Sequence, residues 1–312
     1  MKYLPENIEV SLERKLNELN QLRPMPISAV EKLQEHLRIE MTYNSNAIEG
    51  NTLTLKETFL VIHEGITVKG KPLKDHLEAK DHHIALEFLY ECVEHDKKLT
   101  LSEHFIRMLH QMVVQDTEKE WAGKYRNSNV FIGGSDHQPP DAFKVPSLML
   151  GLINWWKDNR KALHPIELAA LFHHRLVHIH PFFDGNGRTA RLAMNLLSMK
   201  AGYPLIIILK NDRQKYYRVL SEADKGRYQP LVRFIAQATE RSLNLYLKTL
   251  SSKKDKEEYY PLANFEKEFS FSGKYLNLLV RQGKLEAHKE GRNWVTSKQS
   301  INRYLQGRKR RR

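Results

Sequence analysis

The residue types that phosphate chemistry needs are concentrated in one stretch, His180-Pro181-Phe182-Phe183-Asp184-Gly185-Asn186-Gly187-Arg188-Thr189-Ala190-Arg191. Gly185 and Gly187 let the backbone approach an anion closely and take up conformations barred to other residues. The amides that open the following helix point at whatever sits there. Arg188 and Arg191, three apart on the first turn, project to neighbouring positions and can clamp phosphate oxygens with their planar forks. Asp184 beside phosphates suits Mg²⁺, which prefers one or two carboxylates plus substrate oxygens to a full protein cage. That leaves His180, an imidazole able to take a proton from an attacking hydroxyl near neutral pH.

Such a loop must be held by flanking helices, and the pattern supplies them. His164-Pro165-Ile166-Glu167 is a helix start with proline at the first helical position. Ile166, Ala169, Phe172, Leu176 and Ile179 then recur at three- and four-residue intervals as a core-facing stripe that delivers the chain to His180. Thr189 to Ala201 resumes helix and stops at Gly202, with Pro204 just beyond. Further helices are expected at Ala29–Tyr43, Leu55–Glu64, Lys74–His95, Ser102–Val114, Ser147–Asn159, Asp212–Glu222 and Pro230–Leu250. The polar run Asn44 to Asn51 reads as turn-prone, with Gly50 as the helix stop. Val130-Phe131-Ile132, followed by Gly133-Gly134 and closed by Pro139-Pro140, reads as a small hairpin.

A composition of 41% apolar and 28% charged residues is that of an ordinary globular protein. The longest apolar run, Leu205 to Leu209, is far too short to cross a bilayer, so no membrane partner is expected. The N-terminus lacks the features of a secretory signal, and the single cysteine, Cys92, supports neither an internal disulfide nor a Cys-rich zinc framework. A cytoplasmic setting is expected from both. The net charge of +13 is uneven: residues 251–312 carry +9 of it and the first 250 residues only +4. The charge-dense run Ser251 to Glu258 has no periodicity and marks a linker.

The segment from His180 to Arg191 resembles the signature of the Fic family, His-x-Phe-x-Asp-Gly-Asn-Gly-Arg-x-x-Arg, at every fixed position, and the resemblance spans roughly residues 30–240. It implies an all-α, mainly helical fold with a small β-hairpin flap, and a protein adenylyltransferase that moves AMP from ATP to a Ser, Thr or Tyr hydroxyl of a target protein. By the same resemblance His180 is the general base, Phe182 anchors the loop and Asp184 holds Mg²⁺. Gly185, Asn186 and Gly187 form the anion hole, Arg188 supports the β-phosphate side, and Arg191 grips the γ-phosphate. Ser45-Asn46-Ala47-Ile48-Glu49-Gly50 matches the Ser/Thr-x-x-x-Glu-Gly/Asn inhibitory motif, which implies that Ser45, Glu49 and Gly50 form a brake in which Glu49 pairs with Arg191. Val130, Phe131 and Ile132 correspond to the flap that holds an extended target segment, and Tyr216 and Tyr217 to residues beside the nucleobase. The resemblance leaves two rival activities open, removal of AMP and nucleotide sensing by a DNA-binding regulator.

The chain divides, on this reading, into an N-terminal helical region with the inhibitory motif (1–115), a catalytic core (116–250), a linker (251–259) and a module at 260–312. That last module resembles the winged helix-turn-helix of excisionase and MerR-like proteins and ends in a basic tail. Lys274, Arg281 and the tail Arg308 to Arg312 make DNA a candidate partner through phosphate contacts; a homo-oligomer is a further candidate. His173, His174, His178 and His180 include an i,i+4 pair with the spacing of a shared metal ion. No Glu follows His174, however, and packing beneath the loop is the reading adopted.

Overall fold

The structure, a computed structural model, describes residues 2–22, 27–95, 100–250 and 257–309. Most of the linker (251–256) and the end of the basic tail (310–312) lie outside the described residues.

Among the described residues ten α-helices precede residue 251: α1 (Glu6–Gln21), α2 (Ile27–Ile48), α3 (Leu55–Phe59), α4 (Leu73–His95), α5 (Glu103–Val114), α6 (Val145–Asn159), α7 (Pro165–Ile179), α8 (Asn186–Lys200), α9 (Arg213–Asp224) and α10 (Gln229–Leu250). One contiguous apolar cluster, from Leu4 on the N-terminal side to Tyr246 on α10, runs through all of these except α3. α7 and α8 lie at its centre. The predicted stripe of α7, Ile166, Ala169, Phe172, Leu176 and Ile179, is buried, as are Ala190, Leu192, Ala193, Met194 and Leu196 on α8. Two helices buried almost all round leave little freedom to the loop that joins them, which is how the sequence makes that loop rigid.

α3 begins with a capping box: the Thr54 side chain accepts from the Glu57 amide while Glu57 accepts from the Thr54 amide. One π-helical turn, Leu60–Glu64, extends it.

Two local expectations are corrected. The helix expected to stop after Tyr43 runs on as α2 to Ile48, so most of the 44–51 stretch is helical. Its polar side chains do not compete with the helix: Asn44 Nδ2 donates to the Glu40 carbonyl and Asn46 Nδ2 to the Thr42 carbonyl, each one turn back. The expected hairpin around Val130–Gly134 forms no strand. Pro139 and Pro140 have no N–H to offer a ladder, and Arg126 takes the carbonyls of Ser128 and Pro140 with its guanidinium. The flap is an irregular extended segment closed by a turn in which the Ser135 amide donates to the Ile132 carbonyl.

The strands belong to the C-terminal unit. β1 (Tyr259–Pro261), β2 (His288–Glu290) and β3 (Asn293–Ser297) form an antiparallel sheet in the order β1-β3-β2, with Tyr259 opposite Ser297 and His288 opposite Val295. A 3-10 turn (Leu262–Phe265) leads into α11 (Glu266–Phe269), followed by α12 (Gly273–Arg281) and α13 (Lys298–Lys309). Leu262, Phe265, Leu276, Leu279, Val280 and Ile301 give this unit a core of its own. Among the described residues no helix is long and apolar enough to cross a membrane.

Candidate active site

α7 ends at His180, whose backbone is left-handed at φ 50° and ψ 60°. A non-glycine residue rarely takes that conformation, and when one does the surroundings must impose it. Here the His180 amide caps the helix by donating to the Leu176 carbonyl, and Arg126 Nε donates to the His180 carbonyl at 2.8 Å. The Arg126 amide also bonds the Pro181 carbonyl. Arg126 is buried and its bonds are to main-chain carbonyls, so it fastens the flap segment to the loop.

The rest of the loop is fixed from within and below. Phe182 is buried and stacks face to face on His110, centroids 3.6 Å apart. His110 Nε2 lies 3.0 Å from the Asp184 carbonyl and its Nδ1 accepts from the Gly123 amide, so Nε2 carries the proton and donates. Asn186 closes a ring with Phe182: its Nδ2 donates to the Phe182 carbonyl and its Oδ1 accepts from the Phe182 amide. The Asn186 side chain therefore shapes the loop, and the part of Asn186 left for a ligand is its amide. Gly185 is the N-cap of α8 at φ 74°, where a Cβ would stand 2.8 Å from Val114 Cγ1. The first intrahelical bond is that of the Thr189 amide to the Gly185 carbonyl. By helix geometry the amides of Asn186, Gly187 and Arg188 precede it and point out of the helix end, an anion cradle.

Asp184 accepts from the Gly185 amide and from Arg188, with Lys74 Nζ 3.4 Å from its other oxygen. Burial opposes its ionisation, but Arg188, that amide and Lys74 outweigh burial and hold its carboxyl below the usual range. Arg188 is buried between Asp184 at 3.1 Å and Glu78 at 3.3 Å. It braces the loop and does not reach the wall of the neighbouring cavity.

Arg191 is buried as well. Its Nε donates to Ser45 Oγ at 2.9 Å, its Nη2 to the Ser45 carbonyl at 2.8 Å, and Nη2 also meets Glu49 Oε1 at 2.8 Å. Nη1 has no hydrogen-bond partner among the described residues. The Glu49 carboxylate lies against Gly187 so closely that a Cβ there would collide with Oε1. The end of α2 thus delivers Ser45 and Glu49 onto the guanidinium, and Gly187 leaves the room for them.

His180, Glu49, Gly187 and Arg191 line one cavity of about 530 Å³, together with Ile132 of the flap and Tyr216 and Tyr217 of α9. Burial, aided by the nearby Arg126 charge, takes the His180 imidazole from its ordinary 6.5 to about 4. Tyr216 is buried with its hydroxyl 2.8 Å from His173 Nε2, whereas Tyr217 is half exposed and donates to the Ile48 carbonyl. Of the flap residues, Ile132 reaches the cavity; Val130 does not line it and Phe131 points to solvent. His110, Arg126, Glu78 and Lys74 were not singled out by sequence. Nothing local marks them, because the loop groups they hold, from His180 to Arg188, are brought in from far along the chain.

A helical core around a rigid glycine loop, with an imidazole and a buried arginine on one cavity, is the architecture of a known family. The chain belongs to the Fic/DOC family, whose model matches residues 100–198. A Fic domain containing signaling protein from Bacteroides thetaiotaomicron is 31% identical, with a TM-score of 0.71 over 77% of this chain and 96% of that one. Fic-1 from C. elegans is 30% identical, with a TM-score of 0.70 over 78% of this chain and 71% of that one. Protein adenylyltransferase Fic of Drosophila virilis is 38% identical over 245 residues, 78% of this chain and 50% of that protein. The chain thus spans about half the length of the curated relatives it matches. A Fic family protein from Desulfovibrio desulfuricans is only 23% identical, yet it covers 95% of this chain at a TM-score of 0.65, a likeness of fold that extends into the C-terminal unit.

Proposed function

We propose that the chain is a protein adenylyltransferase that moves AMP from ATP to a Ser, Thr or Tyr hydroxyl of a target protein, and that Glu49 restrains it. The observation that carries this reading is the shared cavity: a neutral imidazole, His180, faces the same space as a glycine cradle and a buried guanidinium whose Nη1 has no partner among the described residues. The hydroxyl oxygen attacks the α-phosphorus, the bond to the bridging oxygen breaks, pyrophosphate leaves, and the hydroxyl proton passes to His180. The α8 amides and Arg191 stand ready for the phosphate charge before the reaction begins, the arrangement that lowers such barriers most. Asp184, ionised and at the loop's edge, would hold Mg²⁺, which neutralises phosphate oxygens when bound. Glu49 occupies the Arg191 fork and the space over Gly187, so a triphosphate cannot settle with its γ end clamped while the carboxylate stays. The extended backbone at 129–134 offers a target segment main-chain groups to pair with, with Ile132 at the cavity edge.

The test is transfer of label from α-labelled ATP with Mg²⁺. Glu49→Gly is expected to raise labelling at least ~10-fold, equivalent to roughly 1.4 kcal/mol of barrier. His180→Ala on that background should lose on the order of 10²- to 10⁴-fold, the usual worth of a general base. Undiminished labelling in the His180 variant, or equal labelling from γ-labelled ATP, overturns the reading.

DNA contact by the C-terminal unit is a second reading. It rests on the outward face of α12, where Lys274, Leu278 and Arg281 are exposed one helical turn apart, with Lys284 beyond. A gel shift of Lys274→Ala/Arg281→Ala should show weaker binding and a shallower salt dependence than the parent; identical titrations reject it.

A further inference from the structure

The same cavity has a second polar wall that the transfer reaction does not use. His178, on the last turn of α7, and Asp224, at the end of α9, meet there with Nδ1 and Oδ1 3.0 Å apart. His137 joins them from the flap, its ring 4.0 Å from that of His178 centre to centre. One ring nitrogen from each histidine and one Asp224 oxygen all lie within 4.8 Å of one another. His174, one turn before His178, holds the same Asp224 oxygen at 2.9 Å through Nε2.

We infer that His137, His178 and Asp224 form a binding site for a divalent transition-metal ion, best suited to Zn²⁺, which ties the flap to the α7–α9 wall of the cavity. The ligand set argues for the ion. Two imidazoles and a carboxylate match borderline cations and discriminate against Mg²⁺ and Ca²⁺, which prefer all-oxygen sites. Three protein ligands leave the fourth position of a tetrahedral zinc open, facing the cavity, for water or a phosphate or hydroxyl oxygen. The 3.0 Å between His178 Nδ1 and Asp224 Oδ1 fits, since nitrogen and oxygen ligands about 2.0–2.2 Å from one ion sit roughly 3–4 Å from each other, and His137, within 4.8 Å of both, would swing inward to complete the set. His174 supplies the outer support: its bond to Asp224 orients the carboxylate, as partners of metal ligands do. His137 Nε2 is 2.7 Å from the His178 carbonyl, so the flap leans on α7 beside the site.

The site is distinct from Asp184, which does not line this cavity. It also explains the spacing of His174 and His178: the pair converges on one carboxylate, and the flap, not a neighbouring helix residue, completes the set. The consequence is regulatory. An ion that fixes His137 fixes the segment from Ile132 to His137, which forms the cavity's rim.

The experiment titrates Zn²⁺ alone into the full chain, stripped with chelator and free of Mg²⁺ and nucleotide, by calorimetry, and repeats it with Co²⁺ read by its visible ligand-field absorption. The variants are His137→Ala, Asp224→Asn and Asp184→Ala. The parent and Asp184→Ala are expected to bind one equivalent with equal affinity and the strong absorption of tetrahedral Co²⁺. His137→Ala and Asp224→Asn should each weaken binding at least ~10-fold, the range found even for outer-shell changes. Since His137 sits in a surface segment, its variant keeps the parent's metal-free melting temperature, which separates ligand loss from misfolding. Zn²⁺ should also slow proteolysis within residues 128–136 in the parent and not in His137→Ala. No saturable binding, full-strength binding by His137→Ala, or binding lost in Asp184→Ala overturns the proposal. None of these readouts depends on AMP transfer, so the site stands or falls apart from that reading.

Discussion

Burial decides the protonation of the histidines around the loop. His180 and His110 are each lowered to about 4 and His173 to about 3, in every case chiefly by desolvation, with Arg126, Arg188 and Arg191 respectively adding to it. For the proposed transfer the sign is simple: a base is competent above its pKa, and His180 is neutral throughout pH 6–8. Transfer by Glu49→Gly should therefore show no limb near pH 6.5 and fall only as pH approaches about 4. A rate that halves near pH 6.5 would show that the imidazole is solvated in solution. Stability carries the same information. These groups bind protons in the unfolded chain below about 6.5 and in the folded chain only near 3 to 4. Their contribution is complete above pH 6.5 and is lost as pH falls through that window. Chemical denaturation at pH 7.5, 6 and 5 should give a steadily falling midpoint, and a midpoint that holds to pH 5 would contradict this account.

The proposed brake would depend on how two helices meet, as much as on Glu49. The Ile48 carbonyl, last on α2, accepts from Arg213 Nε at 2.7 Å and from the Tyr217 hydroxyl at 3.1 Å, both on α9. The Lys210 amide, just before α9, donates to Asn44 Oδ1 at 2.8 Å. Loss of the first two bonds should let the end of α2 fray and Glu49 leave Arg191 more often. At about 1 kcal/mol net, Arg213→Ala/Tyr217→Phe should raise basal labelling roughly 3- to 10-fold, and should do nothing further in Glu49→Gly, where no brake remains. Equal gains in both backgrounds would place these residues in nucleotide handling instead. None of this coupling is visible in sequence, where Tyr216 and Tyr217 read alike; in the structure Tyr216 is buried against His173 and Tyr217 secures α2. The helices themselves, α1 (Glu6–Gln21) apart, were legible because their apolar stripes recur with the helical period, and the loop because all its chemistry lies within consecutive residues. The flap misled because Val130-Phe131-Ile132 favours strand while Arg126 and two prolines withhold the pairing. Strand β1 went unnoticed because three residues become a strand only when paired with β3.

At the scale of the whole molecule, α1 joins the helical body to the C-terminal unit through charge taken out of water. Lys15 is 1% exposed; its Nζ lies 2.7 Å from Glu240 on α10 and 3.8 Å from Glu286 of the C-terminal unit. Ser11 also donates to Glu240, and Glu286 accepts from Arg14 and Arg303. A buried pair of this kind adds little net stability, because desolvation offsets the attraction, but removal of one member leaves the other uncompensated. Lys15→Met should therefore cost about 3 kcal/mol, roughly 6–12 °C in melting temperature if the fold melts as one unit. Lys15→Met/Glu240→Gln should recover most of that loss, since the orphaned carboxylate goes with its partner. If the double variant is no more stable than the single, packing of the lysine stem holds α1 in place. If it recovers, α1 and α10 are joined by matched charge, and the C-terminal unit shares that junction through Glu286.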